Sequence, residues 1–368
     1  MPNDVAKLPA IGCEGRVPTR ILSCLCLSLL VSAVAVAAPF HSPPPETLSA
    51  AIDRGDYPNT TSILVMRNGV PVRELYFGRG DRERLNNTRS AMKAITALAV
   101  GLALADHSIA SAQTPAFGFF ADLRPLRNDT PDKEAITLGD MMSMSSALDC
   151  DDNDENSQGS EDRMHEQRNW TLWGVDLPTY SGFARDGQGQ GAWRYCTINA
   201  VLAGQVVQRA THMPIDQYIA RRLFFPLGIQ RWDWPRSPSG EVMTGGGLRL
   251  RTRDLGRIAA MMADDGRWQD HQIVPSSWID AMLTIRRASR PDQNYGYFMF
   301  QGSYSTPCGP INAWYMAGNG GSQILILREY RLAIVVTREN YNVLGTSRQT
   351  VDLLQRYVLP EVICGVSQ

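Results

Sequence analysis

Lysine is the residue that this sequence most clearly lacks. The 368-residue chain has only three lysines, Lys7, Lys93 and Lys133, beside 33 arginines. Arginine keeps its proton in proteins, so only lysine among these two cations can act as a general base. A lysine that remains in such a chain therefore marks a position where titration is chemically possible.

Other absences exclude several classes of function. The formal net charge is −1, so the chain has no electrostatic attraction for nucleic acid or an anionic membrane surface. It has no G-x-S-x-G elbow, no H-E-x-x-H helix, no Walker loop and no G-x-G-x-x-G fingerprint. Its five histidines are not paired at metal-ligand spacing. The sequence therefore implies neither a metal nor an organic cofactor.

Long apolar runs are also missing, apart from one at the N-terminus. Arg16 and Arg20 precede the apolar run 21–38, which contains small residues at Ala35 and Ala37. This pattern predicts a secretory signal peptide at 1–37, then a linker at 38–50, and a periplasmic or secreted protein without stable membrane association after cleavage. An uncleaved single membrane anchor is the alternative.

Four of the seven cysteines remain after signal cleavage: Cys150, Cys196, Cys308 and Cys364. In an oxidising compartment they can form two disulfides through three possible pairings. No CxxC or Cys/His spacing indicates zinc. Four unpaired buried thiols are the alternative.

Strand patterns near both ends of the chain surround a largely helical middle. An Asn68-Gly69 turn within 62–78 predicts a β-hairpin, and 90–107 predicts a buried helix because it has almost no polar residue. Downstream, the patterns predict a helix at 252–266, strands at 295–300, 322–327 and 331–336, and a final helix at 347–357. We predict an α/β (α+β) fold in which helices flank an antiparallel sheet. The domain at 51–368 would comprise an α/β lobe (51–107 plus 245–368) and an inserted helical lobe (108–244).

Ser90 and Lys93 form an S-x-x-K pattern within the predicted buried helix. Residues three apart share a helix face, so both side chains can enter one cleft. A serine hydroxyl needs a neighbour that takes its proton, and a lysine whose pKa is lowered by burial can do so. The pattern is common by chance, and a lysine that extends from the helix to solvent is the alternative. The scarcity of lysine favours catalysis, with Ser90 as nucleophile and Lys93 as its activator.

Several further motifs occur in a specific order. Tyr195-Cys196-Thr197 precedes an apolar helix pattern, 223–234 leads to the triple glycine at 245–247, and Gly318-Asn319-Gly320-Gly321 precedes a strand. With the Ser-Lys pattern, these motifs resemble the penicillin-recognising serine hydrolases over about 50–360. The likeness is to the class C β-lactamase-related branch, which includes esterases and 6-aminohexanoate-dimer hydrolases.

The resemblance implies roles for two of these motifs. Tyr195 would face the Ser-Lys pair and relay protons, as a phenolate or through a hydrogen bond. The backbone N–H groups of Gly321 and Ser90 would form the oxyanion hole, with Gly320 and Asn319 beside the substrate. A packing tyrosine and a plain glycine-rich turn are the alternatives if each motif is taken alone.

The sequence departs from the family pattern at two positions. Gly318 stands where β-lactamases have a lysine, and Thr197 replaces the usual asparagine. The first change removes a cation for a substrate carboxylate, and the second removes an amide that contacts the substrate. Both favour an esterase or linear-amide hydrolase.

An acidic segment at 149–162 invites comparison with a calcium loop through Asp152, Asp154 and Asn156. It lacks the glycine and terminal glutamate of an EF-hand, so we predict a solvated loop at the rim of the cleft. Cys150 and Cys196 lie beside this loop and Tyr195, which suggests a disulfide near the active site.

Together these features predict an exported serine hydrolase that cleaves a small ester or amide through an acyl-enzyme on Ser90. A class C-type β-lactamase or D-alanyl-D-alanine carboxypeptidase is the alternative within this class. A non-catalytic sensor that is acylated without turnover is the alternative from another class.

Overall fold

An eight-stranded antiparallel sheet is the largest element of the computed structural model, which describes residues 47–180 and 191–366. Its strands are β1 (Thr60–Arg67), β2 (Val70–Tyr76), β3 (Arg287–Arg290), β4 (Gln293–Tyr295), β5 (Phe300–Tyr304), β6 (Ile311–Gly318), β7 (Ser322–Leu327) and β8 (Leu332–Arg338). Their order is β2-β1-β8-β7-β6-β5-β4-β3, so the first strand of the chain pairs with the last, one strand in from the edge formed by β2.

The turn at Asn68 and Gly69 sets the register of the hairpin formed by β1 and β2. Asn68 and Gly69 both have positive φ between β1 and β2, as a two-residue hairpin turn requires. The hairpin predicted over 62–78 is confirmed, and so is the antiparallel pair β7–β8.

One predicted strand is wrong. The segment 295–300 contains a reversal: Gly296 N–H donates to the Met299 carbonyl, and Phe298 has a φ of 54°. Its apolar residues are buried on both sides of this turn, which gives an apolar run without extended backbone. Only the two ends of the run belong to strands, β4 and β5.

Helices cover both faces of the sheet. They are α1 (Leu48–Arg54), α2 (Lys93–Ala105), α3 (Pro131–Glu134), α4 (Leu138–Met142), α5 (Glu161–His165), α6 (Trp170–Val175), α7 (Thr197–Thr211), α8 (Ile215–Ile219), α9 (Thr252–Ala263), α10 (Ser276–Met282), α11 (Thr346–Leu353) and α12 (Leu359–Cys364). The predicted buried helix is confirmed as α2, entered through a 3₁₀ turn at Arg89–Met92. The predicted helices at 252–266 and 347–357 correspond to α9 and to the segment that begins with α11.

The alternating side chains of β1 and β8 separate two hydrophobic cores. Leu64 of β1 and Val335 of β8 belong to the core that includes α2, α7 and α9. Their neighbours Ile63 and Ile334 belong to the core beneath α1, α11 and α12. A strand buried on both faces reads as a continuous apolar run, because successive side chains point to opposite faces. The predicted fold class, an antiparallel sheet flanked by helices, is confirmed.

Two expectations remain predictions. The signal peptide at 1–37 and most of the linker lie outside the described residues. The division into an α/β lobe and a helical lobe is likewise not tested. Within 47–180 and 191–366, no helix combines the length and apolar character needed to cross a membrane.

Candidate active site

The Ser-Lys pair lies where the 3₁₀ turn passes into α2. Lys93 Nζ donates a hydrogen bond of 2.9 Å to Ser90 Oγ, and the lysine side chain is only 1% exposed. Arg89 enters the turn with a φ of 52°, a left-handed conformation that costs energy for a non-glycine residue. The S-x-x-K spacing thus places a hydroxyl and a buried amine in direct contact.

Glycines let neighbouring backbone approach this turn. A Cβ at Gly318 would lie 1.9 Å from the Thr88 carbonyl oxygen, and one at Gly246 would lie 3.3 Å from the backbone of Arg89. No side chain fits at Gly318 without moving the nucleophile turn, so the missing lysine there has a steric cause.

Tyr195 lies beside Lys93, immediately before α7. The Lys93 ammonium nitrogen is 4.9 Å from the centre of the Tyr195 ring, whose other side stacks on Phe300. The structure therefore brings together Ser90, Lys93 and Tyr195, the three side chains to which the sequence assigned catalysis.

Two disulfides account for the four cysteines of the described residues. Cys150 bonds Cys196, the pair suggested by sequence, and Cys308 bonds Cys364. The first joins the acidic segment to the residue that follows Tyr195.

The prediction of a solvated acidic loop is wrong for Asp152. Asp152 Oδ2 accepts hydrogen bonds from the backbone N–H and the hydroxyl of Thr197, at 2.8 and 2.7 Å. Its Oδ1 accepts from the Glu161 N–H. Burial, reinforced by the charge of Glu161, raises the pKa of Asp152 to about 6, although Lys93 and Thr197 oppose this shift. Thr197 thus binds a protein carboxylate at the position where an amide that contacts the substrate was expected.

The predicted lowering of the lysine pKa is also wrong. Burial alone would lower the pKa of Lys93, but the interactions with Tyr195, Glu161 and Asp152 outweigh burial and raise it above its ordinary value. Glu161 is ionised beside it, because His165, Lys93 and Arg89 lower the pKa of this carboxyl despite its burial. Lys93 is therefore an ammonium ion in the resting site.

The glycine-rich turn does not place Gly321 as expected. The Gly321 N–H donates to the Gly318 carbonyl, and the Gly321 carbonyl accepts from Thr350. Neither Gly321 nor Gly320 lines the cleft. Asn319 does line it, but its amide bonds the side chain and backbone of Asn342, 2.6 and 2.8 Å away.

One backbone N–H group of β6 points away from the neighbouring strand β7, at the end of the strand that lines the cleft. The Gly318 carbonyl points towards β7, because it accepts from the turn that leads into that strand. Backbone groups of successive strand residues point to opposite sides, so the N–H of Ala317 points away from β7. Pairing between β5 and β6 has already ended at Phe300 and Tyr315, which leaves this edge open to the cleft.

The cleft in front of Ser90 has a volume of about 540 Å³. Aromatic side chains form much of its wall, and polar groups lie around them; the residues that sequence reasoning missed are Asp152, Asn153, Glu161, Trp193, Arg290, Gln293, Phe300, Tyr315, Ala317, Gln323 and Ser347. Of these, Asp152, Asn153 and Glu161 lie in the segment that the sequence had marked through its run of acidic residues.

No cluster of three or more histidine, cysteine or carboxylate side chains suited to a metal occurs in 47–180 or 191–366. The calcium interpretation of the acidic segment therefore receives no support from the described residues.

Comparison with known proteins places this site in a family. The Beta-lactamase family model matches residues 51–355. A 6-aminohexanoate-dimer hydrolase from Paenarthrobacter ureafaciens is 24% identical over 270 residues, which are 71% of this chain and 65% of the relative. The chain thus spans about two thirds of that relative's length.

Solved structures share the fold at low sequence identity. A candidate 6-aminohexanoate-dimer hydrolase from Bacillus anthracis has a TM-score of 0.68 at 16% identity, over 86% of this chain and 83% of its own. A family VIII carboxylesterase has a TM-score of 0.63 at 15% identity, over 83% and 94%. With the family match over most of its length, the chain belongs to the Beta-lactamase family.

Proposed function

We propose that this protein cleaves an ester or a linear amide through an acyl-enzyme on Ser90. The observation that carries the proposal is the direct hydrogen bond from the buried Lys93 ammonium to Ser90 Oγ, with Tyr195 beside both. A hydroxyl, a fixed cation and a phenol in one cleft are the parts that acyl transfer requires.

The charge of Lys93 determines which side chain acts as the base. An ammonium ion cannot accept a proton, so Tyr195 acts as the base in its phenolate form, with the Lys93 ammonium beside it as counter-ion. The phenolate oxygen takes the Ser90 proton as Oγ attacks the carbonyl carbon. Tyr195 then gives this proton to the departing alcohol or amine. In the second half, water attacks the acyl carbon and gives a proton to Tyr195, which returns it to Ser90. Lys93 remains positively charged during both half-reactions.

The oxyanion of the tetrahedral intermediate would be bound by the N–H groups of Ser90 and Ala317. Ser90 lies in the first turn of a helix, where N–H groups have no partner within the helix. Ala317 supplies the strand-edge donor in place of Gly321. Such donors contribute strongly because they are already aligned where charge develops.

Two features favour an ester or linear amide over a β-lactam. Gly318 has no room for a side chain, so the strand beside Ser90 offers no cation for a ring carboxylate. The aromatic wall of Trp193, Tyr195, Phe300 and Tyr315 instead suits an apolar acyl or leaving group. The relatives named as an amide hydrolase and a carboxylesterase agree with this substrate class.

We also propose that the protein is exported. Two disulfides among its four mature cysteines suit an oxidising compartment. The apolar N-terminal run would supply the signal.

The test is intact-mass labelling of wild type and Ser90→Ala with a fluorophosphonate and a penicillin, together with p-nitrophenyl ester and nitrocefin assays. We expect a fluorophosphonate adduct on wild type only, ester turnover faster than nitrocefin turnover, and a loss of kcat on the order of 10⁴-fold in the variant.

Three other outcomes of these assays would contradict parts of the proposal. An adduct on Ser90→Ala would remove Ser90 as the nucleophile. Faster nitrocefin turnover would favour a β-lactamase, and a burst without steady turnover would favour the acylated sensor.

A further inference from the structure

Asp152 occupies an unusual position for an acidic side chain. It lines the cleft with Ser90 and Tyr195, although most of its acidic segment is solvent-exposed. A buried carboxylate is costly unless it is paired or hydrogen-bonded. Its contacts therefore indicate what the carboxylate does in the site.

Most polar contacts of Asp152 lead to the segment that carries Tyr195; the exception is the Glu161 N–H, which donates to Oδ1. Its carboxylate accepts two hydrogen bonds from Thr197, the first residue of α7, and its backbone N–H donates to the Tyr195 carbonyl at 2.7 Å. Two residues earlier, Cys150 is bonded to Cys196. The segment 150–152 is thus fixed to 195–197, both covalently and by hydrogen bonds.

The same carboxylate contributes negative charge around Lys93. The charged and titratable groups that act on Lys93 come from four elements: Arg89 and Ser90 in its own turn, Asp152 in the acidic segment, Glu161 with its partner His165 in α5, and Tyr195 before α7. Glu161 is held towards His165 at 3.7 Å. Asp152 has no histidine or arginine partner among the described residues, and Lys93 is the cation whose charge lowers its pKa against burial.

We propose that Asp152 is a positioning residue, whose carboxylate adds negative charge to the Ser-Lys site and holds the start of α7, and with it Tyr195, against the Ser-Lys pair. This inference rests on the proposed role of Tyr195 as base. It also explains the threonine at 197: a hydroxyl can donate to a carboxylate while its backbone N–H donates to the same oxygen.

A carboxylate differs from an amide at this place in one testable way, because only the carboxylate titrates. When Asp152 takes up a proton near pH 6, it loses the charge that compensates Lys93. The neutral carboxyl group accepts the Thr197 hydrogen bonds more weakly, and the net charge of the site rises by one while Lys93 stays protonated. The acid limb of the pH profile should therefore belong to Asp152.

The experiment compares Asp152→Asn with wild type by ester kinetics from pH 5 to 9. The asparagine keeps the size of the side chain and one acceptor oxygen, but it removes the charge. We expect kcat at pH 8 to fall about tenfold to 100-fold with KM within about threefold, and the acid limb near pH 6 to disappear. Asp154→Asn removes the same charge from an exposed position in the same segment and should leave both parameters unchanged.

A second variant keeps the proposal testable if Asp152→Asn does not fold. Thr197→Val removes one donor to Asp152 but keeps the backbone N–H, so the acid limb should move to higher pH.

If Ser90→Ala is inactive but the pH profile is unchanged in either folded variant, the positioning role of Asp152 is wrong. Activity in Ser90→Ala would instead overturn the proposed function itself.

Discussion

The two lysines of the described structure are both buried, yet their surroundings drive their charge in opposite directions. Lys93 is 1% exposed and Lys133 is fully buried. Burial lowers the pKa of Lys133 to about 8, because the weaker attraction of Asp176 and Asp129 does not offset it. At Lys93 the interactions with Tyr195, Glu161 and Asp152 outweigh burial and raise the pKa.

The difference teaches that burial alone does not decide how a lysine can act. Lys133 donates to the Val175 carbonyl and lies 5.5 Å from the Phe117 ring centre, with no ion pair among the described residues. It has the lowered pKa that sequence reasoning assigned to Lys93. The scarcity of lysine drew attention to Lys93. The protonation state of its amine, however, depends on carboxylates that are distant in sequence.

Replacing each lysine by methionine should give the largest contrast. Lys93→Met removes the cation that contacts Ser90 and should lower kcat/KM for an ester about 10²–10⁴-fold. Lys133→Met should keep kcat/KM within about twofold, because Lys133 contacts helical residues away from the cleft. Equal losses in the two folded variants would end the distinction between a catalytic and a structural lysine.

The charge states themselves can be measured, because the chain has so few lysines. In protein labelled with ¹³C at lysine Cε, we expect one resonance to titrate near pH 8 and a second to remain protonated beyond pH 10. The two methionine variants assign these signals to Lys133 and Lys93. A Lys93 signal that titrates near neutrality would restore lysine as the general base and reverse the roles proposed for Lys93 and Tyr195.

The smallest expected effect concerns stability. Because the folded-state pKa of Lys133 is lowered, the unfolded chain binds more protons than the folded chain between about pH 8 and 10.5. This residue therefore makes stability rise with pH across that window. Relative to Lys133→Met, the wild-type midpoint of urea unfolding should increase by about 0.5 M between pH 7.5 and 9.5. A constant difference would show that Lys133 stays charged when folded.

Local sequence rules predicted the parts of the site that local structure determines. The spacing of Ser90 and Lys93 fixes a shared helix face, and Asn68-Gly69 fixes a hairpin, whatever the rest of the chain does. The role of Asp152 was not predicted from the sequence. That role depends on Thr197 and Lys93, which lie near Asp152 only in the folded chain. Sequence reasoning also did not foresee that the Gly321 N–H is bound within the turn at 318–321, because strand register depends on that turn and not on composition. The proposed oxyanion donor is therefore Ala317.

The pairing of β1 with β8 has a consequence for how the protein is made. Thr60 opposes Arg338, so this pair of strands joins residues from nearly opposite ends of the chain. Contacts so distant in sequence form slowly, because a long loop must close before any of them is made. A growing polypeptide cannot complete its core until residue 338 has been synthesised. The nascent chain would therefore stay open during most of translation, which is the state that passage through a secretion channel requires.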